Sequence, residues 1–149
     1  MYQRGRIIFL ADDDVDDCDL FEDALKEISE DITLRTASDG IKLMNILVDN
    51  VPPPPDVIFL DLNMPRKNGF ECLAEIKSDS KLKDIPVIIF STSAEEEFID
   101  RVFDGGASYY LCKPQNFSKL KNAISTVLKI DWHSTGNTKP VRDKFLLAF

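Results

Sequence analysis

Asp56-Val57-Ile58-Phe59-Leu60-Asp61-Leu62-Asn63-Met64-Pro65 is the stretch whose reading decides the fold. Val57–Leu60 is apolar without a break, as a strand buried on both faces reads, and it stops at a carboxylate followed by a Met-Pro turn. Ile7–Ala11, Thr33–Ala37, Val87–Phe90 and Tyr109–Cys112 are further short apolar runs, so five strands are expected. Helical spacing fills the intervals. Leu20, Ala24, Leu25 and Ile28 are assigned to one core face, and Ile41, Leu43, Met44 and Leu47 to a second. Leu73 with Ile76, then Phe98, Ile99, Val102 and Phe103, then Leu120, Ala123, Ile124, Val127 and Leu128 continue the pattern. Asp39-Gly40, Asn68-Gly69 and Gly105-Gly106 are turn or cap signals, with Asp39 and Asn116 as candidate helix caps. Strand alternating with helix implies an α/β protein with a parallel sheet, and right-handed crossovers make it an open, doubly wound one.

The chain has 149 residues, the size of one domain, which leaves no room for a second sizeable domain or an attached output module. Residues 1–130 are assigned to the domain and 131–149 to a C-terminal extension, a loop and short helix. The extension ends in the apolar cluster Phe145, Leu146, Leu147 and Phe149, which either the domain itself or a partner must cover. Pro52–Pro55 makes a stiff loop before the third strand. The net charge is −8 with no stripe of Lys and Arg, which argues against nucleic acid as a partner. Cys18, Cys72 and Cys112 are odd in number and unpaired in spacing, as reduced cytoplasmic thiols are. No segment reaches transmembrane length, so no membrane association is expected, and the predicted location is cytoplasmic.

In an open parallel sheet the functional crevice lies at the carboxyl ends of the strands. There the sequence delivers Asp12, Asp13 and Asp14 from the first strand and Asp61 from the third. Ser91, Thr92 and Ser93 come from the fourth and Lys113-Pro114 from the fifth. Carboxylates this close raise one another's pKa unless a cation stands among them, and no basic residue adjoins Asp12–Asp14. An all-oxygen donor set suits Mg2+, with Asp13 and Asp61 as direct ligands, Asp12 acting through water and the Asn63 backbone carbonyl as a third protein ligand. Asp61 is the candidate nucleophile toward a phosphoryl donor. Lys113 and the Ser91 hydroxyl would then neutralise and hydrogen-bond the phosphoryl oxygens.

The set Asp12-Asp13, Asp61-Leu62-Asn63-Met64-Pro65 with Gly69, Ser91, Gly106-Ala107 and Lys113-Pro114 resembles the receiver domain of two-component response regulators, from about Arg6 to Lys129. That resemblance implies a flavodoxin-like fold with strand order 2-1-3-4-5 and Mg2+ dependence. It also implies phosphoryl transfer to Asp61 from a histidine kinase or histidine phosphotransfer protein. In the switch it implies, Ser91 moves toward the phosphoryl group and Tyr110 turns inward. The chain is similar to stand-alone regulators of the chemotaxis kind, which act by docking on a downstream protein target and are not enzymes in the ordinary sense. Ser91 stands where Thr is commoner, keeping the hydroxyl.

Blander assignments stand beside these. Asp16, Asp17, Asp19, Glu22 and Asp23 read as a solvated helix face, and Lys42, Arg66 and Lys67 as solvated surface charges. His133, the only histidine, is not placed as a phosphotransfer residue. Two other functions stay in view: a pseudo-receiver that binds partners without phosphorylation, and a haloacid-dehalogenase-like phosphatase. The latter wants an acid where Asn63 stands.

Overall fold

In the computed structural model, which describes residues 6–51, 53–130, 140–147 and 149, the elements alternate as the sequence pattern requires. In chain order they are β1 (Arg6–Ala11), α1 (Val15–Ile28), β2 (Ile32–Ala37), α2 (Gly40–Asn50), β3 (Val57–Leu60) and α3 (Gly69–Ser78). Then follow β4 (Val87–Ser91), α4 (Glu96–Asp104), β5 (Tyr109–Cys112), α5 (Phe117–Leu128), α6 (Arg142–Phe145) and β6 (Leu146–Leu147). All pairings are parallel and the order is β2-β1-β3-β4-β5-β6. The fold is the flavodoxin-like α/β sheet expected, with one correction: a sixth strand extends the five.

Strand alternation sorts the core into two layers. Phe9, Ala11, Ile58, Leu60, Val87, Ile89 and Tyr110 face the layer covered by α2, α3 and α4. Ile8, Leu10, Val57, Phe59, Ile88, Phe90 and Leu111 face α1 and α5. Burial on both sides is why β3 and β4 are written in unbroken Val, Ile, Leu and Phe. Two helix positions differ from the expected faces. Leu20 is 46% exposed while Phe21 is fully buried, and Ile41 is 40% exposed. The stripe of α1 is therefore Phe21, Ala24 and Leu25, rotated by one residue so that Phe21 meets the edges of Phe59 and Phe90.

Caps set the helix starts at the site end of the sheet. Asp14 accepts from Asp17 N–H, Asp39 from Lys42 N–H and Asn116 from Lys119 N–H, while Asn68 forms a reciprocal capping box with Glu71. Before β3, Asp56 is tied to β1 at Ile7 by its own N–H and by its carboxylate, which accepts from Ile7 N–H at 2.7 Å. Pro52 and residues 131–139 of the extension, with His133, lie outside the described residues.

The domain itself covers part of the C-terminal cluster: Phe145 is buried and Leu147 half-buried, while Leu146 and Phe149 stay exposed. β6 pairs with β5, Tyr110 beside Leu146 and Leu111 beside Leu147. Phe145 is fully buried, 5.1 Å from the Phe103 ring and 6.4 Å from the Tyr110 ring. Arg142 anchors α6 to α4 through Glu96 and Asp100, each at 2.8 Å. Of the two coverings the sequence left open, burial in cis is found for Phe145.

Candidate functional site

The carboxyl ends of β1, β3, β4 and β5 meet along one sheet edge. The register of β1 against β3 sets Ala11 beside Leu60, so Asp12 and Asp61 leave neighbouring strands at the same level. On the other side Ser91 pairs with Cys112, and Lys113 N–H donates to the Ser91 carbonyl at 2.8 Å. Four strand ends thus fix the origins of Asp12, Asp61, Ser91 and Lys113 before any side chain is placed.

One oxygen from each of Asp12, Asp13 and Asp61 falls within a 4.8 Å set, with Asp12 and Asp61 buried and Asp13 exposed. Asp12 Oδ1 accepts from Asp14 N–H at 3.0 Å. Its other oxygen is buried 2.7 Å from the Lys113 ammonium yet lacks a correctly directed hydrogen bond. A buried carboxylate oxygen left short of a donor, in an oxygen-only set open on the Asp13 side, fits a hard divalent cation. Asn63 N–H points to Asp61 Oδ1 at a long 3.4 Å, which keeps the residue after next against the carboxylate.

Lys113 reaches three acids: Asp12 at 2.7 Å, Asp17 at 2.8 Å and Asp61 at 3.4 Å. Burial alone would pull its pKa down, but the close Asp12 carboxylate, the hydrogen bond to Asp17 and the charge of Asp61 outweigh that and hold it above the usual lysine range. Asp61 is driven the other way. Burial pushes its carboxyl up to about 6, Lys113 opposes this, and the negative Asp12 adds to it. The carboxylates outnumber the ammonium, so the pocket carries unneutralised negative charge.

Ser91 is fully buried at the end of β4, and its hydroxyl oxygen accepts from Ser93 N–H at 3.2 Å. That leaves the hydroxyl proton free to donate. Tyr110 is fully buried, with its O–H donating to the Ser93 carbonyl at 2.7 Å. It is joined to the carboxylate pocket through the turn after Ser91 and through the Ser91 side chain beside its hydroxyl. Gly69 is demanded by close approach: a Cβ there would sit 2.2 Å from the Asp61 carbonyl oxygen.

Of the residues read as solvated charge, Asp17 and Lys67 are drawn against partners, whereas Arg66 stays solvated with its side chain 65% exposed. Asp17 belongs to the Lys113 cluster, its side chain 31% exposed. Arg66 adopts a left-handed φ of 68° and lies 3.6 Å from the buried Asp39 carboxylate. Lys67, with its side chain 18% exposed, pairs with Glu75. Spacing on α1 offered the one usable signal for Asp17, since it lies on the first turn after Asp12-Asp13. No local pattern marks the other two.

With this geometry, comparison with known proteins is informative. The chain matches the model of the response regulator receiver domain over residues 8–125. It is similar to response regulator Rcp1 of Synechocystis sp., 35% identical over 126 residues that cover 82% of this chain and 86% of that one. Among solved structures, the phosphorylated cyanobacterial phytochrome response regulator RcpA matches with a TM-score of 0.79 and 37% identity, covering 88% of this chain and 96% of that chain. The Mn2+-bound form of Rcp1 matches with a TM-score of 0.75 and 33% identity, covering 91% and 99%.

Proposed function

The chain belongs to the response regulator receiver domain family, and from that premise we propose that it is a phosphorylation switch whose acceptor is Asp61. The observation that carries the assignment is the joining of Asp12, Asp13, Asp61 and Lys113 at one sheet edge. One Asp61 oxygen attacks the phosphorus of a phosphohistidine on a histidine kinase or phosphotransfer protein. An O–P bond forms as the N–P bond breaks, and the electron pair leaves with the imidazole nitrogen. Bound by Asp13, Asp61 and the Asn63 carbonyl, with Asp12 acting through water, Mg2+ would supply charge neutralisation at the phosphoryl oxygens. Lys113 offers its ammonium to a phosphoryl oxygen, and the Ser91 hydroxyl donates to another.

The switch then runs through the turn after β4. If Ser91 moves to meet the phosphoryl group, its bond with Ser93 N–H changes. Tyr110 holds the neighbouring carbonyl and responds with it. The phosphoryl group shifts a balance between two conformations of the α4–β5–α5 face, and a downstream protein reads the shift. The switch acts in the cytoplasm. Among its described residues no helix is long and apolar enough to cross a membrane.

Intact mass after incubation with a small phosphodonor and Mg2+ tests the proposal. The expected result is a gain of one phosphoryl group that is abolished by chelator and absent from Asp61→Asn. A folded protein that gains nothing with Mg2+ in excess would make it a phosphorylation-independent binding module instead.

A further inference from the structure

Asp17 contacts the reactive centre, yet nothing in the chemistry above employs it. It lies on the first turn of α1, where its N–H donates to the Asp14 carboxylate at 3.1 Å and so fixes its backbone. From there its Oδ2 accepts a directed hydrogen bond from Lys113 Nζ at 2.8 Å, while the bond from the same ammonium to Asp61 is 3.4 Å long. Asp17 stands outside the cluster of Asp12, Asp13 and Asp61 that can hold a cation. It therefore holds Lys113 from outside the cluster, while Asp12 at 2.7 Å and Asp61 at 3.4 Å hold it from within.

The arrangement bears on a conflict between two positive charges. The ammonium and a divalent cation both favour the oxygens of Asp12 and Asp61, and at a separation of a few ångströms they repel. An ammonium settled wholly between those carboxylates would exclude the cation. One released to solvent would be lost to the phosphoryl group. An ammonium has three N–H donors, and here one is committed to a carboxylate at the rim.

We propose that Asp17 is a positioning residue for Lys113. It tethers the ammonium on the α1 side of the pocket, so that a divalent cation can occupy the cluster of Asp12, Asp13 and Asp61 while the ammonium stays within reach of a phosphoryl group on Asp61. This rests on the function proposed above and names a residue that regulates cation entry to the same site.

The test is a double-mutant cycle on the full chain, with Mg2+ affinity measured by titration calorimetry. Asp17→Asn should weaken Mg2+ binding about three- to tenfold when Lys113 is present, and less than twofold in a Lys113→Met background. Equal weakening in both backgrounds would show that Asp17 acts only as a nearby negative charge and would overturn the proposal, as would no weakening at all. Side-chain NMR of labelled lysine gives a second readout that needs no change at Lys113. With Mg2+ bound, Lys113 should stay ordered in the unsubstituted protein and in Asp17→Glu, and become averaged in Asp17→Asn. Equal order in Asp17→Asn would refute the tether. An unsubstituted protein that binds no Mg2+ would sink the functional reading itself, whereas Mg2+ binding with an uncoupled cycle would sink this inference alone.

Discussion

Asp61→Asn should make the cation-free protein more stable at neutral pH, and the gain should fade with acid. Asp61 is 5% exposed, and burial pushes its carboxyl from 3.8 up to about 6. The folded state therefore holds a proton, between those two values, that the unfolded chain has already released. Well below 3.8 both states are protonated and folding carries no penalty from this group. As pH rises toward 6 the unfolded chain ionises freely while the folded one resists, so stability falls across that window and stays low above it. At face value the shift corresponds to about 3 kcal/mol. The pocket is open to solvent at Asp13, which screens the charge further, so about 1–2 kcal/mol is the working figure. Asn keeps the shape and removes the charge. In urea titrations with chelator, Asp61→Asn should exceed the unsubstituted protein by that amount at pH 7.5 and nearly match it at pH 4. Adding Mg2+ should close the gap at pH 7.5, because the cation binds only the folded carboxylate cluster. A substitution that destabilises at pH 7.5, or gives the same gain at both pH values, would refute burial of charge as the cause.

Other perturbations probe the surroundings of the pocket. Phe145→Ala removes a fully buried ring from between α4 and β5, and chemical denaturation should show a loss of about 3 kcal/mol that does not depend on protein concentration. Unchanged stability would mean that the C-terminal segment does not dock in cis. Gly69→Ala forces a Cβ against the Asp61 carbonyl, so melting temperature and Mg2+ affinity should fall together, whereas a lower melting point with unaltered affinity would deny that this glycine shapes the site. Asn68→Ala breaks the capping box of α3 and should cost about 1 kcal/mol in the same denaturation assay. Tyr110→Phe leaves the ring buried but frees the Ser93 carbonyl, for a loss of about 1 kcal/mol.

Several of these residues are legible in the sequence alone, and the reason is locality. A strand buried on both faces announces itself as Val57–Leu60, and Asp39 and Asn116 show their capping roles through the helix that follows each. In a parallel sheet every strand end points to the same edge, so Asp12, Asp61, Ser91 and Lys113 could be gathered from chain order alone. What sequence left undetermined was the choice among chemically equivalent neighbours. Eight acids lie between Asp12 and Asp23, and nothing local distinguishes Asp17, whose partner Lys113 is 96 residues away. The phase of α1, with Phe21 inward and Leu20 outward, follows from the gap between Phe59 and Phe90. The left-handed Arg66 beside Asp39 depends on how the loop after β3 lies on α2. The covering of Phe145 turns on the free edge of β5, to which a two-residue strand could pair. Periodicity and caps are written in consecutive residues; the partner of a charge and the cover of an apolar edge are fixed only when distant segments compete for the same space.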